Sequence, residues 1–233
     1  MKIIDELQSV GTPEKAAFLQ RFFKTGKGQY GEGDVFLGVV VPHTRSIAKA
    51  NIQTPIPELR RLLDSRFHEA RLCALLILSE RFKKATETDR KQIFEFYLDN
   101  TKRINSWDLV DLSAPAIVGG YLLDKDASIL YKLAADDDLW RQRIAIVSTL
   151  TFIRNNKFGD TLALSKMLLN HPHDLIHKAV GWMLREVGKR DRGTLLDFLD
   201  EYATSLPRTT LRYAIEHFPE PERQRFLRMK RVS

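Results

Sequence analysis

Apolar residues recur at three- and four-residue intervals along almost the whole chain, the spacing that lines one face of an α-helix. The clearest stretches cover residues 59–82, 93–102, 139–154, 161–169 and 175–187, each bounded by Pro, Asp, Asn or Gly. No segment alternates apolar and polar residues for long enough to predict a sheet. The pattern predicts an all-α protein of helices joined by short turns.

Three octapeptides superpose without gaps: RLCALLIL at 71–78, RIAIVSTL at 143–150 and HKAVGWML at 177–184. Their starts lie 72 and 34 residues apart, so a period near 35 predicts a fourth copy at 107–114, where the chain reads WDLVDLSA. Each copy follows another helical stretch, at 56–63, 91–98, 128–134 and 161–169. Such helix pairs are the unit of HEAT-like arrays, and they predict a right-handed solenoid of antiparallel pairs, with a concave basic groove and one domain over 1–233.

The fourth copy breaks the pattern. Asp111 falls where the other copies carry Leu75, Val147 and Gly181, and a carboxylate in an apolar slot costs several kcal/mol, roughly, unless it is paired or faces a polar cavity. Trp107 lies one helical turn earlier on the same face, where the other copies begin with Arg71, Arg143 and His177. A stripe of those basic residues beside Trp107 suits phosphates, and it suits salt bridges between repeats equally well. Asp111 likewise reads as a functional acid or as a partner for Arg143. Asp108, behind an N-cap at Asn105 or Ser106, reads as a structural charge on the helix dipole. Pro115 is expected to interrupt the helix.

Charge adds a partner to this picture. Thirty-seven Lys and Arg against 30 Asp and Glu give a net charge of +7, which favours a polyanion such as nucleic acid. No apolar run reaches membrane-spanning length, and residues 1–10 lack a signal-peptide core, so a cytoplasmic location is expected. The single cysteine, Cys73, sits within an apolar run and reads as a buried hydrophobe.

The residues NSWDLVD at 105–111 with Ala114-Pro115, WRQRIA at 140–145, AVGWMLRE at 179–186, and Phe36-Leu-Gly38 followed by Pro42 resemble the AlkD-type DNA glycosylases, a family with HEAT-like repeats. The resemblance implies a catalytic aspartate at Asp111, active-site tryptophans at Trp107 and Trp182, and a DNA-contacting arginine at Arg143. It implies hydrolytic excision of purines alkylated at N3 or N7 from double-stranded DNA; the chemistry calls for no metal or other cofactor, and with nothing resembling a dimerisation seam a monomer is expected. A cationic base leaves readily, so an anion beside an oxocarbenium-like sugar is the main requirement. Non-catalytic binding of branched or damaged DNA, or service as a protein-interaction solenoid, is the competing reading, motivated by a Gly-rich insertion at 26–33.

That insertion satisfies G-x-G-x-x-G from Gly26 to Gly31, but it follows a helical stretch rather than a strand. It reads as a flexible loop whose Lys27 and Tyr30 are candidates for touching a DNA backbone. His171, His173 and His177 form a cluster without an HExxH context, read as turn histidines with His177 facing a phosphate rather than as a zinc site. The basic run at 223–231 reads as a solvated helix face.

Overall fold

The computed structural model describes residues 1–230, and within them every regular element is helical apart from one isolated bridge between Val35 and Phe67. Contacts cluster in two units, Met1–Ile117 and Val118–Ser233.

The first unit holds α1 (Lys2–Val10), α2 (Pro13–Phe22), α3 (Val41–Ala50), α4 (Ile56–Leu63), α5 (His68–Lys84), α6 (Glu87–Asp99) and α7 (Trp107–Asp111). Helix α5 is its axis. Residues 68–79 of α5 are buried on every side, as expected of a helix with apolar residues all round, and α1, α3, α4, α6 and α7 pack against it. A single helical run over 59–82 does not form. Asp64 and Ser65 stop α4, the Ser65 hydroxyl accepts the Phe67 N–H, and Arg66 and Phe67 pair with Val35 before α5 begins.

The second unit holds α8 (Gly120–Leu122), α9 (Ser128–Ala134), α10 (Leu139–Ser148), α11 (Leu150–Arg154), α12 (Gly159–Met167), α13 (Asp174–Arg190), α14 (Arg192–Tyr202), α15 (Arg208–Ala214) and α16 (Glu220–Arg228). Here α13 is the axis, with α10, α11, α12, α14 and α15 packed on it. The expected helix over 139–154 divides at Thr149, whose hydroxyl donates to the Ile146 carbonyl. Side chains start several helices: Thr12, Thr86, Asp138, His173 and Asp191 each accept a backbone N–H in the first turn.

Three of the four helix pairs expected from the repeat are present within the units, α4 on α5, α9 on α10 and α12 on α13; the fourth is not, because α6 and α7 both pack chiefly on α5 instead of on each other. The register slot is buried at Leu75, Val147 and Gly181 and only half-buried at Asp111. Helix α7 ends at that residue, three residues before the break expected after Ala114, and Pro115 itself begins a π-helical turn, Pro115–Gly119, so the interruption lies at residues 112–113 and not at the proline.

Candidate functional site

Helix α7 is barely more than one turn, too short to hold itself, so its neighbours fix it. Leu109 and Val110 are fully buried beneath it. The Ser113 hydroxyl donates to the Leu109 carbonyl and meets the Tyr97 hydroxyl at 3.0 Å. Burial, with the negative charge of Asp111 added, pushes the Tyr97 phenol well above its ordinary range and keeps it protonated. Ser106 is the N-cap, though its hydroxyl makes no capping bond.

Trp107 is half-buried, with one ring face taken. Phe23 stacks on it at 5.2 Å with 6° between the planes, and Phe22 meets it edge-on at 6.1 Å. Phe22 and its stacking neighbour Phe18 are themselves more than half exposed. Trp107 and Asp111 thus stand one turn apart on a helix whose inward side is filled.

Asp108 does more than complement a helix dipole. Its carboxylate is buried and takes a 2.8 Å contact from Nε2 of His68, whose Nδ1 lies 2.9 Å from Asp34. Arg71 donates to the other oxygen of Asp34 at 2.6 Å and also to the Ser65 carbonyl. Burial alone would lower the His68 pKa. The charge of Asp108 and hydrogen bonds to both carboxylates outweigh it and raise the pKa to about 9, so both ring nitrogens carry protons at neutral pH. Burial would raise Asp34, but bonding to His68 and the charge of Arg71 hold it below the usual carboxylate range. Phe36 stacks on the imidazole at 4.5 Å and Phe23 lies at 5.0 Å, so Phe23 touches both His68 and Trp107.

The segment carrying Asp34 is tied to its surroundings. Gln20 of α2 donates to the Asp34 carbonyl and accepts from the Phe36 amide, and the Glu69 carboxylate accepts the amides of Leu37, Gly38 and Val39. Gly38 has φ +82, and a Cβ there would lie 2.2 Å from the Thr12 carbonyl oxygen.

The basic first positions of the repeat are not an exposed stripe. Arg71 is 6% exposed and engaged with Asp34, which removes it from reach of a phosphate. Arg143 is 5% exposed and donates to the Leu175 carbonyl. His177 is half-buried and bonded through Nε2 to the His171 carbonyl, while Trp182 is half-buried on α13. The other two histidines work in the turn: His171 contacts Gln142 at 2.7 Å, and Nδ1 of His173 accepts the Leu175 N–H as N-cap of α13. Burial lowers the pKa of both, which suits those roles.

The Gly-rich insertion is built of hydrogen-bonded turns rather than a flexible loop. The amides of Gly26 and Gly28 point at the side chains of Gln29 and Glu32, so the groups a phosphate loop would present are filled internally. Lys27 is exposed and Tyr30 half-buried. On α16, Arg223 pairs with Glu220 and Arg225 with Asp200, while Arg231 lies outside the described residues. His68, Asp34 and the Phe22–Phe23 pair were absent from the sequence reading.

The chain matches the family of DNA alkylation repair enzymes over residues 3–218. It belongs to that family. Among solved structures, a chain described as a predicted DNA alkylation repair enzyme from Enterococcus faecalis is similar with a TM-score of 0.68 at 16% identity, over 90% of this chain and 97% of that one. At that identity the likeness establishes a shared helical fold. No curated protein matches the chain. The family agrees with the resemblance carried by the motifs around Trp107, Asp111, Trp140 and Trp182. None of the helices among the described residues is long and apolar enough to cross a membrane.

Proposed function

We propose that this DNA alkylation repair protein is a monofunctional glycosylase that hydrolyses the N-glycosidic bond of cationic N3- or N7-alkylated purines in double-stranded DNA. The observation that carries the reading is Asp111, half-exposed in a register slot that the other repeats bury, one turn from a tryptophan with one face occupied.

The chemistry asks little of the protein. The bond between C1′ and the purine nitrogen breaks with its electron pair going to the base, which cancels the positive charge of the base. The sugar becomes oxocarbenium-like, and water adds at C1′ with loss of a proton. Asp111 stabilises the developing positive charge and orients that water, an electrostatic role already organised before reaction. Trp107 packs against the deoxyribose and attracts the cation through its ring. In the second unit this reading assigns Trp182 to the same kind of contact, whereas Arg143, buried and bonded to the Leu175 carbonyl, is left out of it. A lysine Schiff base has no part in the scheme, so the product is an abasic site.

The test is release of free base from methylated DNA, resolving N3-methyladenine from N7-methylguanine, for wild type and Asp111→Asn. Release that falls about 10² to 10³-fold in the variant, with helical circular dichroism unchanged, is expected. An undiminished rate in Asp111→Asn removes Asp111 from the mechanism. Absence of release by wild type, with DNA still bound, replaces the enzyme with a binder of damaged or branched DNA.

A further inference from the structure

We propose that His68 is a positioning residue for the candidate site: by gripping Asp108 through Nε2 and Asp34 through Nδ1, it sets the seat of α7 and so the placement of Trp107 and Asp111. This rests on the glycosylase reading only for its kinetic arm.

The geometry is specific. Helix α7 is five residues long, and Asp108 in its first turn is the charged side chain that ties it to α5. The other hand of His68 holds Asp34, at the end of the Gly-rich segment, and Arg71 fixes the far oxygen of that carboxylate. The ring faces are covered by Phe36 and Phe23, and Phe23 is the ring on which Trp107 stacks. One buried imidazole therefore meets Trp107 by two routes, through Asp108 in the backbone next door and through Phe23 against its face. A buried ionic cluster is weak support for stability, because desolvation offsets most of the attraction, whereas it confines its members to one arrangement. Neither carboxylate can move without leaving a proton of His68 unmatched.

The charged groups facing His68 are Asp34, Asp108 and Arg71. The two carboxylates favour its charged form and the guanidinium opposes it. With the pKa raised to about 9, the grip is present at neutral pH and weakens as pH rises through that value.

The test uses His68→Gln and Asp108→Asn in the full chain, with two readouts. The first is the set of three tryptophan indole N–H resonances, with that of Trp107 assigned by its loss in Trp107→Phe. Both variants should move the Trp107 resonance and leave those of Trp140 and Trp182 in place. The second is single-turnover release of N3-methyladenine at saturating protein. The rate should fall about 10- to 100-fold, the scale of a small misplacement of reacting groups, with little change in DNA affinity. In wild type the rate should decline as pH rises through about 9, and Asp108→Asn should shift that decline to lower pH because it removes the charge that favours the imidazolium. Variants with a lower melting temperature but an unmoved Trp107 resonance and an unchanged rate would overturn the proposal. If His68→Gln does not fold, Asp108→Asn decides by the same readouts. If wild type releases no base, the glycosylase reading falls and the Trp107 resonance still decides this one.

Discussion

Asp111 and Gly181 share a position in the repeat, and the two show which kinds of residue a sequence exposes. Asp111 was legible because it violates a local pattern: an acid stands where Leu75 and Val147 are fully buried. Gly181 was legible only as a small residue, and its reason is tertiary. A Cβ there would lie 2.5 Å from the Cβ of Tyr213 and 2.6 Å from the Thr210 carbonyl oxygen on α15, both too firmly placed to give way. Gly181→Ala is expected to destabilise the fold by about 1–3 kcal/mol through overpacking, despite the better helix propensity of alanine. Urea unfolding monitored by circular dichroism measures it, and an unchanged midpoint would mean that α13 and α15 do not approach so closely. His68 lay beyond sequence reasoning for a related cause. Its partners Asp34 and Asp108 are 34 and 40 residues away, and a pairing between single polar residues leaves no period to detect.

Helices were the most legible elements, since their spacing is local. The expected boundaries 56–63 and 128–134 coincide with α4 and α9, and the division of 139–154 escaped notice because apolar spacing continues through Thr149. What fixes an end is often a single acceptor. Asp138 takes the amides of Trp140 and Arg141 at 2.8 and 3.0 Å on one carboxylate oxygen, starting the helix that carries Arg143. Asp138→Ala should cost about 1 kcal/mol, whereas Asp138→Asn retains an acceptor oxygen and should recover most of it. Comparing the two by thermal unfolding separates capping from charge. Equal losses in both would assign the effect to the carboxylate's charge rather than to the cap.

At the scale of the whole chain, titration and net charge make predictions that no single element contains. His68 has its pKa raised to about 9, so its contribution to stability is complete below the unfolded value near 6.5 and is lost as pH rises through about 9. His171 and His173 have lowered pKa values, so theirs is complete above 6.5 and is lost as pH falls through the folded values. The melting temperature should therefore peak near neutrality, and His68→Gln should flatten the decline between pH 6.5 and 9 while leaving the acid side steep. Charge was legible as a total of +7, but its distribution was not: Arg71 and Arg143 are buried, whereas Lys27 stands exposed on the Gly-rich turns. If the excess positive charge serves DNA, the logarithm of the affinity must fall linearly with log salt concentration, with a slope of about 0.9 per phosphate neutralised, because binding releases condensed counterions. Should Lys27 meet a phosphate, Lys27→Ala will weaken binding to every duplex alike and make the slope shallower by about 1. An unchanged slope would leave Lys27 a solvated charge. A slope near zero for wild type would mean that the excess charge neutralises no phosphates, and it would remove the electrostatic support for a duplex partner while leaving the chemistry assigned to Asp111 to be judged by base release alone.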